Sequence, residues 1–141
     1  MSNVYARNRT ESPLEIINKS ELLLMEVYAL IMNEKKVGKK HRYFIGKSMY
    51  ESANKIVSYI YRANNIFPSS IEDLYKRYEY QKTASYESAL FLNLLETYFH
   101  MLPNVSYSDM ERIANIADSI PTMISKWHQS DRKRFKQLLN D

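Results

Sequence analysis

The sequence predicts an all-α protein, an antiparallel up-down-up-down four-helix bundle in a single domain, and three observations carry that expectation. Only two glycines (Gly38, Gly46) and four prolines (Pro13, Pro68, Pro103, Pro121) occur in 141 residues, too few for the many tight turns of an all-β fold. Apolar residues recur at helical spacing in four separate segments. Polar caps and breakers divide those segments into similar lengths, and long helices joined by short links pack antiparallel.

Residues 1–11 read as a short flexible arm, polar rather than an apolar signal core, and 12–141 as the bundle. The first helix is expected to open at Ser12, with Pro13 at its first position and Glu15 completing a capping box. Leu14, Ile17, Leu24, Tyr28 and Ile31 form its stripe, widened by Leu23, Val27 and Leu30, and it should fade between Lys36 and Gly38. A second stripe runs through Ile45, Met49, Ala53, Ile56, Ile60, Ala63 and Phe67, and Pro68 stops it. Ser69 and Glu72 suggest the next cap, ahead of Ile71, Leu74, Tyr78, Ala84, Leu92, Leu95 and Phe99, and Pro103 marks that helix's end. Ser106 to Asp109 start the fourth helix, whose positions Met110, Ile113, Ala117, Ile120, Ile124 and Trp127 keep helical spacing past a bend at Pro121.

Several function classes lose their support at this level. Without cysteine there is no disulfide framework, thiol nucleophile or zinc knuckle, and a reducing cytoplasm suits the chain. No apolar run approaches membrane-spanning length, so a soluble protein with no membrane partner is expected. Glu96 and His100 stand four apart and that pairing occurs once, short of the repeated Glu-x-x-His set a di-iron bundle requires, so no metal is expected. His41, His100 and His128 are the groups suited to proton transfer near neutral pH. None has an arginine ahead of it at the spacing used by helical ribonucleases of the HEPN type, and two glycines build no phosphate-cradling loop. The expectation is a non-catalytic protein without a cofactor.

Charge is distributed unevenly. Lys35, Lys36, Lys39, Lys40, Arg42 and Lys47 crowd the link between the first two helices, with no acid after Glu34 in that stretch. The whole chain has 20 basic and 16 acidic residues; without these six, 14 basic residues face the 16 acidic ones. Positive charge concentrated at one place is the footprint of a surface that meets phosphates. A plain solvated loop is the competing reading, with Tyr43 and Phe44 folding inward as hydrophobic anchors; base stacking on them is the other use of the pair. A second cluster, Arg132, Lys133 and Arg134 with Lys126 and Lys136, closes the fourth helix, where cations suit the helix dipole in any case. In an antiparallel bundle the two clusters fall at opposite ends. Tyr75, Lys76, Arg77 and Tyr78 form a candidate binding face or subunit interface on the third helix.

The stretches RYFIGKSMYESANKIVSYIYRAN, KRYEYQKTASYESALFLNLLETYFHML and SYSDMERIANIADSIPTMISKWHQS together resemble a family of small four-helix-bundle proteins. Its members include the accessory variability proteins of diversity-generating retroelements and the proteins encoded in intervening sequences of bacterial 23S rRNA genes. Arg42, Tyr43 and Gly46 entering the second helix, Ala63 and Asn64 near its end, and Trp127 carry the likeness; Ser119, Ile120 and Pro121 stand where members often have a glycine-containing stretch. Both branches fit these residues, and the basic character favours the retroelement one. The resemblance then implies a homopentamer that binds the element's reverse transcriptase and its RNA or DNA, supporting mutagenic reverse transcription without performing the chemistry. The rRNA branch implies a scaffold or protein-interaction module without a nucleic-acid role.

Overall fold

The structure, a computed structural model, describes the backbone of residues 3–140 and the side chains of residues 13–140. In chain order it comprises α1 (Asn3–Met32), a single turn α2 (Lys39–His41), a π-helical turn (Arg42–Gly46), α3 (Lys47–Asn64), α4 (Ile71–Met101), α5 (Tyr107–Arg134) and the short α6 (Lys136–Asn140). The all-α expectation holds, with no strand among the described residues. None of their helices is long and apolar enough to cross a membrane. Each of the four periodic segments is one long helix. α1 packs on α3 and α5, and α4 packs on the same two.

The shared core is built from Ile16, Leu23 and Val27 of α1, Met49, Ile56 and Ile60 of α3, Phe91 of α4, and Ile113, Ile120 and Trp127 of α5, all at most 1% exposed. Side chains of this size each gain about 1.5–3 kcal/mol from burial, so the four helices are held mainly by this contact. On α4 the buried positions Leu74, Arg77, Gln81, Ala84, Ser88, Phe91 and Leu95 alternate in steps of three and four. That is the spacing of a helix seam, but three of its seven positions are polar. On α5 the corresponding seam is Asp109, Ile113, Ala117, Ile120, Ile124, Trp127 and Asp131.

The polar seam residues are matched across the helices. Pro121 lies inside α5 and has no N–H to give to the carbonyl four residues earlier, which belongs to Ala117. The Ser88 hydroxyl donates to that carbonyl at 2.7 Å. The proline thus stays inside the helix because the neighbouring helix satisfies the acceptor it leaves open.

Several expected boundaries shift. α1 already runs from Asn3, so Pro13 lies inside the helix rather than at its first position; Met1, Ser2 and the side chains of the expected arm lie outside the described residues. Ala6, Arg7 and Arg9 are good helix formers, which lets the helix begin ahead of the proline. The stripe of α1 is rotated from the expected one: Leu14 and Tyr28 are exposed, whereas Ile16 and the expected flank of Leu23, Val27 and Leu30 are buried. α4 is capped by Ser70, whose hydroxyl accepts from the Asp73 N–H at 3.2 Å, not by the expected Ser69. Ser69 instead donates to the Asp73 carboxylate at 2.9 Å, so the shorter Asp73 takes the place foreseen for Glu72. α3 ends at Asn64, before Phe67, which is exposed and meets Phe135 edge-on at 5.6 Å. The start of α5 is as expected, a capping box between Ser106 and Asp109.

Candidate nucleic-acid interface

The link between α1 and α3 is an ordered turn. Asn33 follows the last residue of α1, and its side-chain oxygen accepts from the N–H groups of Lys35 and Lys36 at 3.1 and 3.3 Å. Its own carbonyl accepts from the Val37 N–H at 2.8 Å. Val37 is then only 1% exposed, pinning the middle of the basic stretch to the core. The asparagine side chain substitutes for the backbone here, so α1 ends at Met32, ahead of the fading expected between Lys36 and Gly38.

The six basic residues of this junction divide into two groups. Lys36 and Arg42 are engaged by the fold. The Lys36 ammonium lies 2.8 Å from the Asp109 carboxylate at the start of α5. The hydrogen bond from Lys36 holds the Asp109 carboxyl below its usual range, with the Ser106 hydroxyl adding to the effect against the opposing influence of burial. Arg42 donates from Nε to the Ile31 carbonyl at 3.1 Å, satisfying an acceptor in the last turn of α1. It also lies 3.8 Å from Glu34. Lys35, Lys39, Lys40 and Lys47 are exposed, and no carboxylate among the described residues comes within ion-pair distance of them. The four are the part of the predicted patch available to a polyanion.

Tyr43 and Phe44 differ most from the inward-anchor reading. They are 71% and 75% exposed, with their rings edge to face at 5.1 Å. Ile45 and Gly46 serve as the inward anchors instead. A Cβ built on Gly46 would stand 2.8 Å from the Ile31 side chain, so the π turn lies against α1 at a distance only glycine allows. Beside it, Tyr28, Met32, Lys47 and Tyr50 line an open hollow of about 220 Å³, with Tyr28 and Tyr50 edge to face at 6.3 Å.

Arg132, Lys133 and Arg134 are exposed in the last turn of α5, and Arg134 stands over the Phe67 and Phe135 rings at 5.6 and 5.3 Å. The junction meets α5 at Asp109 and this cluster follows Asp131, a separation of about 33 Å at ~1.5 Å rise per residue. The two clusters therefore do not form one patch on a single chain.

The candidate face on α4 needs a correction. Arg77 is 5% exposed and cannot serve as an interface residue. Its guanidinium meets the Asp131 carboxylate through two bonds, Nε to Oδ2 at 2.8 Å and Nη2 to Oδ1 at 2.9 Å, and donates to the Ile66 carbonyl at 2.8 Å. Gln81 adds a third donor to Asp131 at 2.8 Å, and the Trp127 ring lies 5.0 Å from the guanidinium carbon. This planar bidentate pairing suits arginine in a core. Tyr78 is half-buried and stacks on His128 at 3.8 Å, where burial holds the imidazole pKa below its usual value, the Asp131 charge opposing. Tyr75 and Lys76 remain exposed. Sequence reasoning missed Gln81, Asp109 and Asp131 as partners; Asp131 sits on the α5 seam four residues after Trp127, the one signal that places it inward.

No group of three or more His, Cys, Asp or Glu able to hold a metal occurs among the described residues. Comparison with family models, with curated proteins and with solved structures gives no match.

Proposed function

We propose that this chain is a non-catalytic accessory protein of a diversity-generating retroelement, binding the reverse transcriptase and its template RNA or cDNA to support mutagenic reverse transcription. The observation that carries the reading is the junction itself: four exposed lysines, Lys35 on the Asn33 turn, Lys39 and Lys40 on α2 and Lys47 at the start of α3, without opposing carboxylates among the described residues. Such a surface gains affinity for phosphates by releasing counterions. The resemblance at Arg42, Tyr43, Gly46 and Trp127 supplies the polymerase and the RNA, and the absence of cysteine suits a cytoplasmic setting.

The architecture that goes with this reading is the up-down-up-down antiparallel four-helix bundle of α1, α3, α4 and α5. Two end-to-end links support it. Lys36, just past the end of α1, meets Asp109 near the start of α5, and Arg77 near the start of α4 meets Asp131 near the end of α5. The proposed assembly is a homopentamer, in which five junctions would act together through multivalency. Leu22, Met25, Tyr28 and Met32 leave an exposed apolar stripe along α1, with Met25 at 60% and Tyr28 at 54%, a surface suited to a neighbouring subunit. The same stripe is the observation that favours the second reading, a scaffold or protein-interaction module of the rRNA intervening-sequence type.

The test is the particle mass by light scattering on a sizing column, with and without a structured RNA at two salt concentrations. A pentamer-sized particle that takes up RNA at low salt and releases it at high salt is expected. If four lysines per protomer engage a single strand, the logarithm of affinity should fall against the logarithm of salt with a slope of about −3. A particle that ignores RNA at low salt removes the retroelement reading and leaves the scaffold.

A further inference from the structure

Resting on the nucleic-acid reading above and going beyond it, we infer that the exposed Tyr43–Phe44 pair is a stacking platform for unpaired bases, so that the junction selects single-stranded RNA over duplex. Phe44 has no polar group to keep in water, yet it is the more exposed of the two, at 75%. The local fold puts it there. Ile45 and Gly46 seat the π turn on α1 and leave Tyr43 and Phe44 facing solvent. Turns of this kind are rare and concentrate at functional sites.

The geometry fits bases better than it fits a flat protein surface. The two rings meet at 88° and 5.1 Å. In an edge-to-face pair, one ring keeps both faces free and the other keeps one, so neither contact between the rings uses up the platform. Lys39, Lys40 and Lys47 stand within four residues of the pair and are exposed. Cations around aromatic faces are the combination that binds a single strand, phosphates to lysine and bases to rings. A separate hollow of about 220 Å³ on the α1 side of the turn, lined by Tyr28, Tyr50, Arg42 and Lys47, is open and shallow and does not include the pair. A duplex gains nothing from these rings, because its bases are already stacked and its major groove is too deep and narrow for side chains to read.

The experiment is fluorescence anisotropy at one low salt concentration, with a labelled rU12 strand and a labelled 12-base-pair RNA duplex as probes. The native protein is compared with Tyr43→Ala/Phe44→Ala, Tyr43→Leu/Phe44→Leu and Lys35→Gln/Lys39→Gln/Lys40→Gln/Lys47→Gln. The native protein is expected to prefer rU12. Both aromatic variants should bind rU12 roughly tenfold more weakly, or worse, with duplex affinity little changed. Leucine keeps the apolar bulk and loses the π face, so its failure to restore binding separates stacking from general hydrophobic contact. Retention of native rU12 affinity by the leucine variant overturns the inference, as does an equal loss on both probes. It is also overturned if the aromatic variants lose binding only to phosphatidylserine–phosphatidylcholine vesicles, which would make the pair a membrane wedge. Should the native protein bind neither probe, the nucleic-acid reading itself fails. If instead the lysine variant loses both probes while the aromatic variants match the native protein, that reading stands and only this inference falls. Thermal melts should show all variants folded, because the altered side chains are exposed. Were an aromatic variant not to fold, photocrosslinking of a 4-thiouridine strand to the native protein decides: adducts at Tyr43 or Phe44 support the platform, and adducts confined elsewhere overturn it.

Discussion

Two regions of this molecule treat positive charge in opposite ways. Where α4 begins, Arg77 is enclosed and every strong interaction it makes is internal: two bonds to Asp131, one to the Ile66 carbonyl, and the face of Trp127. Where α1 turns toward α3, Lys35, Lys39, Lys40 and Lys47 stand in water beside two bare aromatic rings. The contrast follows from the side chains. A guanidinium is weakly hydrated and forks onto a carboxylate, so it can be buried, while an ammonium on a flexible stem keeps its hydration and stays outside. Total charge alone says nothing about which residues meet a partner; the local neutralisation of each does.

The largest test of this contrast is Asp131→Ala, which leaves Arg77 enclosed without its counter-charge. The expected loss is about 3–5 kcal/mol in urea unfolding, a large part of a small domain's stability. Replacing Arg77, Gln81 and Asp131 together by leucines should cost far less, since no buried charge then remains. A small effect of Asp131→Ala would erase the distinction between the two regions.

At the junction the fold depends on close approach rather than on charge. Gly46→Ala places a Cβ 2.8 Å from the Ile31 side chain and should cost about 1–3 kcal/mol through overpacking. Unfolding midpoints measure it, and an unchanged midpoint would mean that α1 yields to the π turn at no cost.

Lys36 lies between the two extremes, and Lys36→Met should cost about 1 kcal/mol at neutral pH. Because the folded Asp109 carboxyl is held below the ordinary carboxylate value, the unfolded chain binds the extra proton first as pH falls. The stabilisation is therefore complete above the unfolded value and lost as pH drops through the folded one. In Lys36→Met the folded value returns toward the ordinary range, so this acid-side loss should shrink. A stability–pH curve parallel to that of the native chain would show that Asp109 owes its depressed pKa to Ser106 alone.

The smallest expected stability change comes from Lys39→Gln with Lys40→Gln, within about 0.5 kcal/mol, because both side chains are exposed. RNA affinity should fall in the same variant. A marked destabilisation would place these lysines with Lys36 and Arg42 among the residues that serve the fold.

The helical class and the four long helices were legible in the sequence, because periodicity survives in Met49, Ala53, Ile56 and Ile60 and because Ser106–Asp109 is an unambiguous cap. The core face of α4 was harder to read. Arg77, Gln81 and Ser88 occupy seam positions, and a search for apolar residues passes over them in favour of half-buried Ile71, Tyr78 and Leu92. The basic patch was visible as a whole, but its division was not. Only three-dimensional proximity gives Lys36 to Asp109 and Arg42 to Ile31. The outward Tyr43 and Phe44 were similarly hidden, because a π turn changes which neighbours share a face and ordinary helical spacing does not register it.

The bond from Ser88 to the Ala117 carbonyl has a consequence for how α4 and α5 are aligned. Elsewhere along a regular helix each carbonyl already accepts from the helix's own N–H, so a hydroxyl reaching across from a neighbouring helix could only add a second bond there, as the Ser20 hydroxyl does within α1 on the Ile17 carbonyl. Pro121 opens an acceptor at one level of α5, and Ser88 meets it at 2.7 Å. A shift of the helices by one turn would leave the Ala117 carbonyl without a donor and turn the Ser88 hydroxyl back to a carbonyl of its own helix. Proline and serine together thus act as a register mark, favouring the longitudinal alignment that brings Ser88 level with the Ala117 carbonyl.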